Sequence, residues 1–333
     1  MDRWKAVLKD PVCPNSRACY RVAVSLCIHP ASKTLAVPSV NAIFFNGDRV
    51  EGTRNPVIER LSDLQHLADV LVSKFGGSTN AWVIEASTFN GPFAVYKDFI
   101  PSVNRYGEPK EYSATGFPAS ASIISLLSKC IEKQVNHLIR KGKEPGPSIS
   151  SSTLSNTPKS IILGFSKGGT VLNQLVTELS SCDVTSSSYP YSIEVRQQFA
   201  GEAPTAVYAS HILPTTKESF LGSMTDVHYV DVGLNSPGAY ITDRDVISRI
   251  SDRVARGAHP VQFFIHGTPR QWCDRERAWI PEEKDVLVGL LKSESLKVGG
   301  KLQVSERLYF SDRPRDLQMH FEIIEKLDVS VNS

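Results

Sequence analysis

Ser160-Ile161-Ile162-Leu163-Gly164-Phe165-Ser166-Lys167-Gly168-Gly169 runs a short apolar segment into Gly-x-Ser-x-Gly, and an amphipathic pattern follows at once. Ile161, Ile162 and Leu163 have the unbroken apolar character of a parallel strand buried on both faces. After the turn, Val171, Leu172, Leu175, Val176 and Leu179 recur at helical spacing along one face. A serine between such a strand and such a helix occupies a tight turn, and small residues two before and two after it let the backbone fold back. The turn lifts the hydroxyl off the sheet edge and aims the following N–H at a bound carbonyl. That is the layout of a nucleophile elbow, whose chemistry is acyl transfer through a serine ester. A bare Gly-x-Ser-x-Gly is a weak signal, because a Gly-rich turn also serves packing or holds a phosphate. The stretch lacks the Gly-Lys-Ser/Thr ending of a phosphate loop and the G-x-G-x-x-G of a dinucleotide site. No cofactor is therefore expected.

The 333 residues, 41% of them hydrophobic, suffice for a large buried core. A net charge of +2 with no long basic run gives no reason to expect nucleic acid as a partner. No apolar run reaches membrane-spanning length. The N-terminal stretch carries Asp2, Arg3, Lys5, Lys9 and Asp10 and no apolar signal core, so an intracellular address is expected. The six cysteines (Cys13, Cys19, Cys27, Cys130, Cys182 and Cys273) form no C-x-x-C pair, so neither a metal site nor a disulfide framework is expected. Cys130 falls on the apolar face of a helix and reads as a small buried hydrophobe.

Outward from the elbow, strands and helices alternate. Tyr20 to Ile28 and Thr34 to Val37 read as an antiparallel opening hairpin, and Ala42-Ile43-Phe44-Phe45 as a buried strand stopping at Asn46-Gly47-Asp48. Asn55-Pro56 reads as a helix start and Gly76-Gly77 as its end. Ala81 to Ala86 is the next strand, followed by an irregular stretch to about Thr115 and a helix carrying Ile123, Ile124, Leu127, Ile131 and Val135. Residues 141–158, rich in Ser, Pro, Gly and Lys, read as a mobile surface loop, and 180–222 as a lid or cap insertion. Later strands are Val227 to Val232, Val261 to Ile265 and Leu302 to Tyr309, with a helix at about Pro281 to Leu291 and a closing helix at His320 to Leu327. An antiparallel opening followed by strand–helix alternation means one mostly parallel sheet covered on both faces. This order, with the serine after the fifth strand, resembles the α/β-hydrolase fold over most of the chain. A single domain, residues 1–333, is expected.

That resemblance implies a triad in the order serine, acid, histidine. Ser166 is the nucleophile. His320, the only histidine after His266, follows the last strand and is the candidate base. In this fold the acid usually follows the strand before the histidine's strand. There the loop after His266-Gly267 offers Asp274, with Arg270, Arg275 and Arg277 near it in sequence. Some members take the acid one strand earlier, where Asp231 stands. Both remain open, with Asp274 the first choice; His266 reads as a structural residue. The oxyanion hole is assigned to the N–H of Lys167 and the N–H of Asp48, with Gly47 permitting close approach. An aspartate side chain there is unfavourable unless it is paired or points away. The Lys167 cation is a candidate to steady the oxyanion or to attract an anionic substrate.

Phe44-Phe45-Asn46-Gly47-Asp48, Gly164-Phe165-Ser166-Lys167-Gly168 and Asp231-Val232-Gly233 together resemble one branch of this superfamily: the mitochondria-associated α/β-hydrolase-like proteins whose human member is named only as an open reading frame of chromosome 2. The resemblance implies an esterase-, thioesterase- or lipase-like serine hydrolase acting on a small acyl ester or lipid-like substrate. It also implies a mitochondrial address, whereas the N-terminus by itself favours the cytoplasm. The rival expectation is a non-catalytic hydrolase-fold protein that binds a lipid-like ligand or a partner protein. The sequence leaves the oligomeric state open.

Overall fold

Alternate residues of the central strands face opposite ways, and both faces are apolar. Ile43 and Phe45 pack into one hydrophobic cluster, Ala42 and Phe44 into the other. Trp82 and Ile84 divide from Ala81 and Val83 in the same manner. A strand buried on both sides needs a helical layer on each face, and the computed structural model, which describes residues 2–13, 16–140, 157–183 and 210–330, has both.

The chain runs β1 (Asp2–Pro11), β2 (Cys19–Ile28), β3 (Val40–Phe45), α1 (Pro56–Leu61), α2 (Leu64–Phe75), β4 (Thr79–Glu85), then a small hairpin of β5 (Thr88–Asn90) and β6 (Phe93–Val95). It continues through α3 (Pro118–Arg140), β7 (Lys159–Phe165), α4 (Gly169–Ser181), α5 (Lys217–Ser223), β8 (Met224–Val230) and α6 (Arg244–Ala255). It ends with β9 (Val261–Gly267), α7 (Pro269–Trp272), α8 (Trp279–Lys297), β10 (Leu302–Leu308) and α9 (Leu317–Lys326). Eight strands form one sheet in the order β1-β2-β4-β3-β7-β8-β9-β10. The pairs β1/β2 and β2/β4 are antiparallel and all others parallel. This is the α/β-hydrolase arrangement. Residues of α3, α4, α6 and α8 fill one face, and residues of α1, α2 and α9 the other.

The order reverses at β3. Its successor β4 lies on one side and β7 on the other, which opens a crevice at the carboxyl ends of β3 and β7. Register levels those ends. Phe45 pairs with Gly164, Phe165 with Val230, and Val230 with His266. The residues immediately beyond β3, β7, β8 and β9 therefore emerge side by side.

Two expectations about the opening hairpin change. Its first strand is Asp2–Pro11, paired with Cys19–Ile28, while Thr34 to Val37 contributes only an isolated bridge from Leu35 to Ile28. β1 lies at the sheet edge, and only Trp4, Ala6 and Leu8 pack inward, so its charged outer positions masked it. The irregular stretch before Thr115 contains the β5–β6 hairpin, and α6 is an additional helix. Most of the expected mobile loop (141–158) and of the expected lid (180–222) lies outside the described residues; the end of the latter is helix α5. Cys130 is fully buried, as its position on the α3 face suggested. Among the described residues no helix is long and apolar enough to cross a membrane, and no group of three His, Cys, Asp or Glu side chains is placed to hold a metal ion.

Candidate active site

Ser166 follows β7 with a φ of 52°, a left-handed conformation that a side-chain-bearing residue adopts only when its surroundings impose it. The imposing contact is the close packing of β7 and α4. A Cβ on Gly168 would run into the Phe45 carbonyl, so only glycine lets the turn pass under the end of β3. From the other side, a Cβ on Gly47 would lie 2.6 Å from Ser166 Cβ and 3.2 Å from its Oγ. The Asn46-Gly47-Asp48 loop is thereby pressed against the serine.

Asp231 follows β8 with a φ of 44° and is fully buried. Its Oδ2 is 2.6 Å from His320 Nδ1. Thr268, beyond β9, donates its N–H to Oδ1 at 2.7 Å and its hydroxyl to Oδ2 at 2.9 Å. The Asp231 N–H donates to the His266 carbonyl at 2.7 Å. Thr268 beyond β9 and His320 on α9 thus hold the carboxylate by three contacts, while the end of β9 holds its backbone. His320 enters from α9, which Asp316 caps by accepting the Met319 N–H at 2.6 Å. The imidazole is buried against Phe165, the residue before the serine, with ring centroids 4.6 Å apart, and meets Phe321 edge-on at 5.5 Å. With Nδ1 committed to Asp231, Nε2 is the nitrogen left for proton transfer. Among the described residues no hydrogen bond joins Ser166 Oγ to His320.

Asp274, the first choice for the acid, is elsewhere. It caps a single 3-10 turn (Arg275–Arg277), accepts the Glu276 N–H at 3.1 Å, and pairs with Arg277 at 2.9 Å and Arg315 at 3.4 Å. Burial pulls its carboxyl upward, but Arg277, the Glu276 N–H and Arg315 hold it below the usual carboxylate range. Its arginine neighbours claim it, and the acid facing His320 is Asp231.

Lys167 follows the serine in the chain, and Asp48 belongs to the loop pressed against it. The Lys167 N–H belongs to the first turn after β7, where no intrahelical acceptor precedes it. Among the described residues the Asp48 N–H has no acceptor, whereas the Gly47 N–H is taken by Asn46 Oδ1 at 2.9 Å. The Asp48 side chain is paired: Oδ1 accepts the Ala94 N–H at 2.8 Å and lies 3.5 Å from Lys167 Nζ. Burial pushes its carboxyl up, opposed by Lys167, the Ala94 N–H and His320. Burial pushes the Lys167 ammonium down, opposed by Asp48 and Glu108. The ammonium also donates to the Tyr106 carbonyl at 2.7 Å and covers the Phe93 ring at 4.6 Å. Its side chain is only 1% exposed and is spent on these partners.

Phe93, Ala94, Tyr106 and Glu108 all come from the stretch read as irregular. Two of their contacts use backbone groups, which no side-chain pattern announces. Glu108 also accepts the Asn235 N–H at 2.9 Å and the Ser236 hydroxyl at 3.0 Å, tethering the loop after Asp231. His266 is a structural residue: it is buried between His228 and Tyr309, at 3.2 and 3.0 Å, and burial pushes its imidazole down to about 3.

The family model C2orf69 matches residues 128–297, a span that contains Ser166 and Asp231 but ends before His320. The mitochondrial protein C2orf69 homolog of zebrafish (Danio rerio) is 26% identical over 79% of this chain, which spans 64% of that protein's length. Human mitochondrial protein C2orf69 is 23% identical over 86% of this chain and 74% of its own length. Among solved structures, the siderophore hydrolase EstA of Aspergillus nidulans aligns with a TM-score of 0.42 at 13% identity, covering 97% of this chain and 92% of that one.

Proposed function

The chain belongs to the C2orf69 family, and we propose that this member is a serine hydrolase that cleaves an ester or thioester through an acyl-enzyme on Ser166. The observation that carries the reading is the 2.6 Å contact between Asp231 and His320, buried against the residue that precedes a serine held at positive φ. An isolated histidine has no need of a buried carboxylate on Nδ1. One that must accept a proton at Nε2 does, because the carboxylate fixes the tautomer and stabilises the imidazolium.

In this mechanism His320 Nε2 takes the Ser166 proton as Oγ attacks the acyl carbonyl. The N–H groups of Lys167 and Asp48 hold the oxyanion. His320 then protonates the leaving alcohol or thiol, and finally activates a water that releases the acyl group. Substrate binding is the step that joins Oγ to Nε2, since hydrogen bonds of this kind are often long without substrate and tighten on binding. The Asp48 carboxylate is kept from opposing the oxyanion by its ties to Lys167 and the Ala94 N–H.

A second reading rests on one observation. Ser166 and His320 share no hydrogen bond, which suits a hydrolase-fold protein that binds a ligand without turning it over. A screen of acyl esters and thioesters of graded chain length separates the two. Hydrolysis abolished by Ser166→Ala supports the enzyme; no turnover of any substrate, or turnover that survives the substitution, contradicts it. Because the zebrafish and human relatives are named mitochondrial proteins, we place this chain in the mitochondrion rather than the cytoplasm, a placement that fractionation of cells checks.

A further inference from the structure

A second concave site lies beside the acid–histidine pair. A pocket of about 460 Å³ is lined by Arg270, Asp274, Arg275, Glu276, Arg277 and Arg315. Its walls are α7 with the following 3-10 turn and the entry to α9. These are the two segments that deliver Thr268 and His320 to Asp231. Arg270 is two residues from Thr268, and Arg315 precedes the capping residue Asp316.

The lining sets four guanidiniums against two carboxylates. Asp274 is already engaged by Arg277 and Arg315. Among the described residues, Arg270 and Arg275 form no hydrogen bond or ion pair. The Arg270 Nε–H is moreover buried with no acceptor among the described residues, and burial and the neighbouring Arg277 both act against its charge. A buried guanidinium N–H without a partner is costly, and an acceptor supplied by a ligand relieves that cost. No lining residue is apolar, so the pocket does not suit an acyl chain. Converging guanidiniums suit a multiply charged oxyanion, which they grip through paired N–H groups.

Resting on the hydrolase reading, we propose that this pocket binds a phosphate carried by the leaving group, so that the substrate is a phosphorylated ester or thioester. The acyl carbonyl is then held at Ser166 while the phosphate engages Arg270 and Arg275. Two sources supply this chemistry: a soluble phosphorylated thiol and a phospholipid headgroup.

The test compares substrates that differ only in phosphate. One pair is butyryl-coenzyme A with the neutral butyryl thioester of N-acetylcysteamine. The other is a lysophosphatidate with the monoacylglycerol of the same chain. Wild type should prefer the phosphorylated member of one pair, and that pair identifies the source. In Arg270→Gln/Arg275→Gln the ratio of kcat/KM within the pair should fall about tenfold. A ratio near one in wild type for both pairs, or a ratio that the substitutions leave unchanged, overturns the proposal. Titration calorimetry with inorganic pyrophosphate reads the pocket without turnover. Binding by wild type that is weakened in the double variant sustains the pocket even if Ser166 proves inert. No binding by wild type rejects the pocket whatever Ser166 does.

Discussion

Thr268 closes both oxygens of Asp231, giving its N–H to Oδ1 at 2.7 Å and its hydroxyl to Oδ2 at 2.9 Å. Oδ2 is also the oxygen that faces His320, so the hydroxyl sets the direction of the acid as well as its solvation. Thr268→Val keeps the backbone bond and the side-chain shape but removes one donor. Stability should fall by about 1 kcal/mol, and kcat by roughly 3- to 10-fold with little change in KM. Steady-state kinetics beside a denaturation curve checks both. A loss confined to KM would mean that Thr268 serves substrate binding instead.

The two candidate acids predict opposite outcomes. Asp231→Asn should reduce the rate of Ser166 acylation on the order of 10³–10⁴-fold, because an amide cannot hold the histidine in the required tautomer. Asp274→Asn should leave the chemical step within about twofold, because that carboxylate faces arginines at 2.9 and 3.4 Å and not His320. Single-turnover kinetics with an activated ester compares them directly.

The fold was legible because its signals are local. Ile161-Ile162-Leu163 is apolar without a break since both faces of β7 are covered, and Ser166 is marked by glycines that close packing requires. His320 could be placed by order along the chain. The acid could not, because in sequence Asp231 and Asp274 differ only in which strand end they follow; register and Thr268 put Asp231, and not Asp274, against His320. The Lys167–Asp48 pair is half legible: both residues stand out in the sequence, but the Ala94 N–H that holds Asp48 and the Tyr106 carbonyl that holds Lys167 leave no side-chain signature. β1 was missed for a similar physical reason, as an edge strand with one solvated face carries charges where a central strand carries Val or Ile.

The buried Lys167–Asp48 pair gives a pH signature. Burial raises the Asp48 carboxyl above 3.8, so the folded protein holds that proton more tightly than the unfolded chain does. Stability from this group is therefore full below the unfolded value and is lost as pH rises through the folded one. Lys167→Met removes the cation that opposes the shift. The carboxyl then moves further up, and the variant should lose stability relative to wild type as pH rises from about 4 to about 7. Asp48→Asn added to Lys167→Met should restore a flatter profile, since no unpaired charge remains. Melting curves across that range for both variants are the measurement. A parallel offset at every pH would show that Lys167 acts through packing alone.

The central claim is that Ser166 is a nucleophile driven by His320 and Asp231. Reaction with a fluorophosphonate, read by intact mass and by peptide mapping, tests it most directly. Wild type should gain one adduct located on Ser166, Ser166→Ala should gain none, and His320→Ala should react slower by about three orders of magnitude or more. Equal labelling of wild type and Ser166→Ala, or a wild type that stays unmodified while correctly folded, would contradict it.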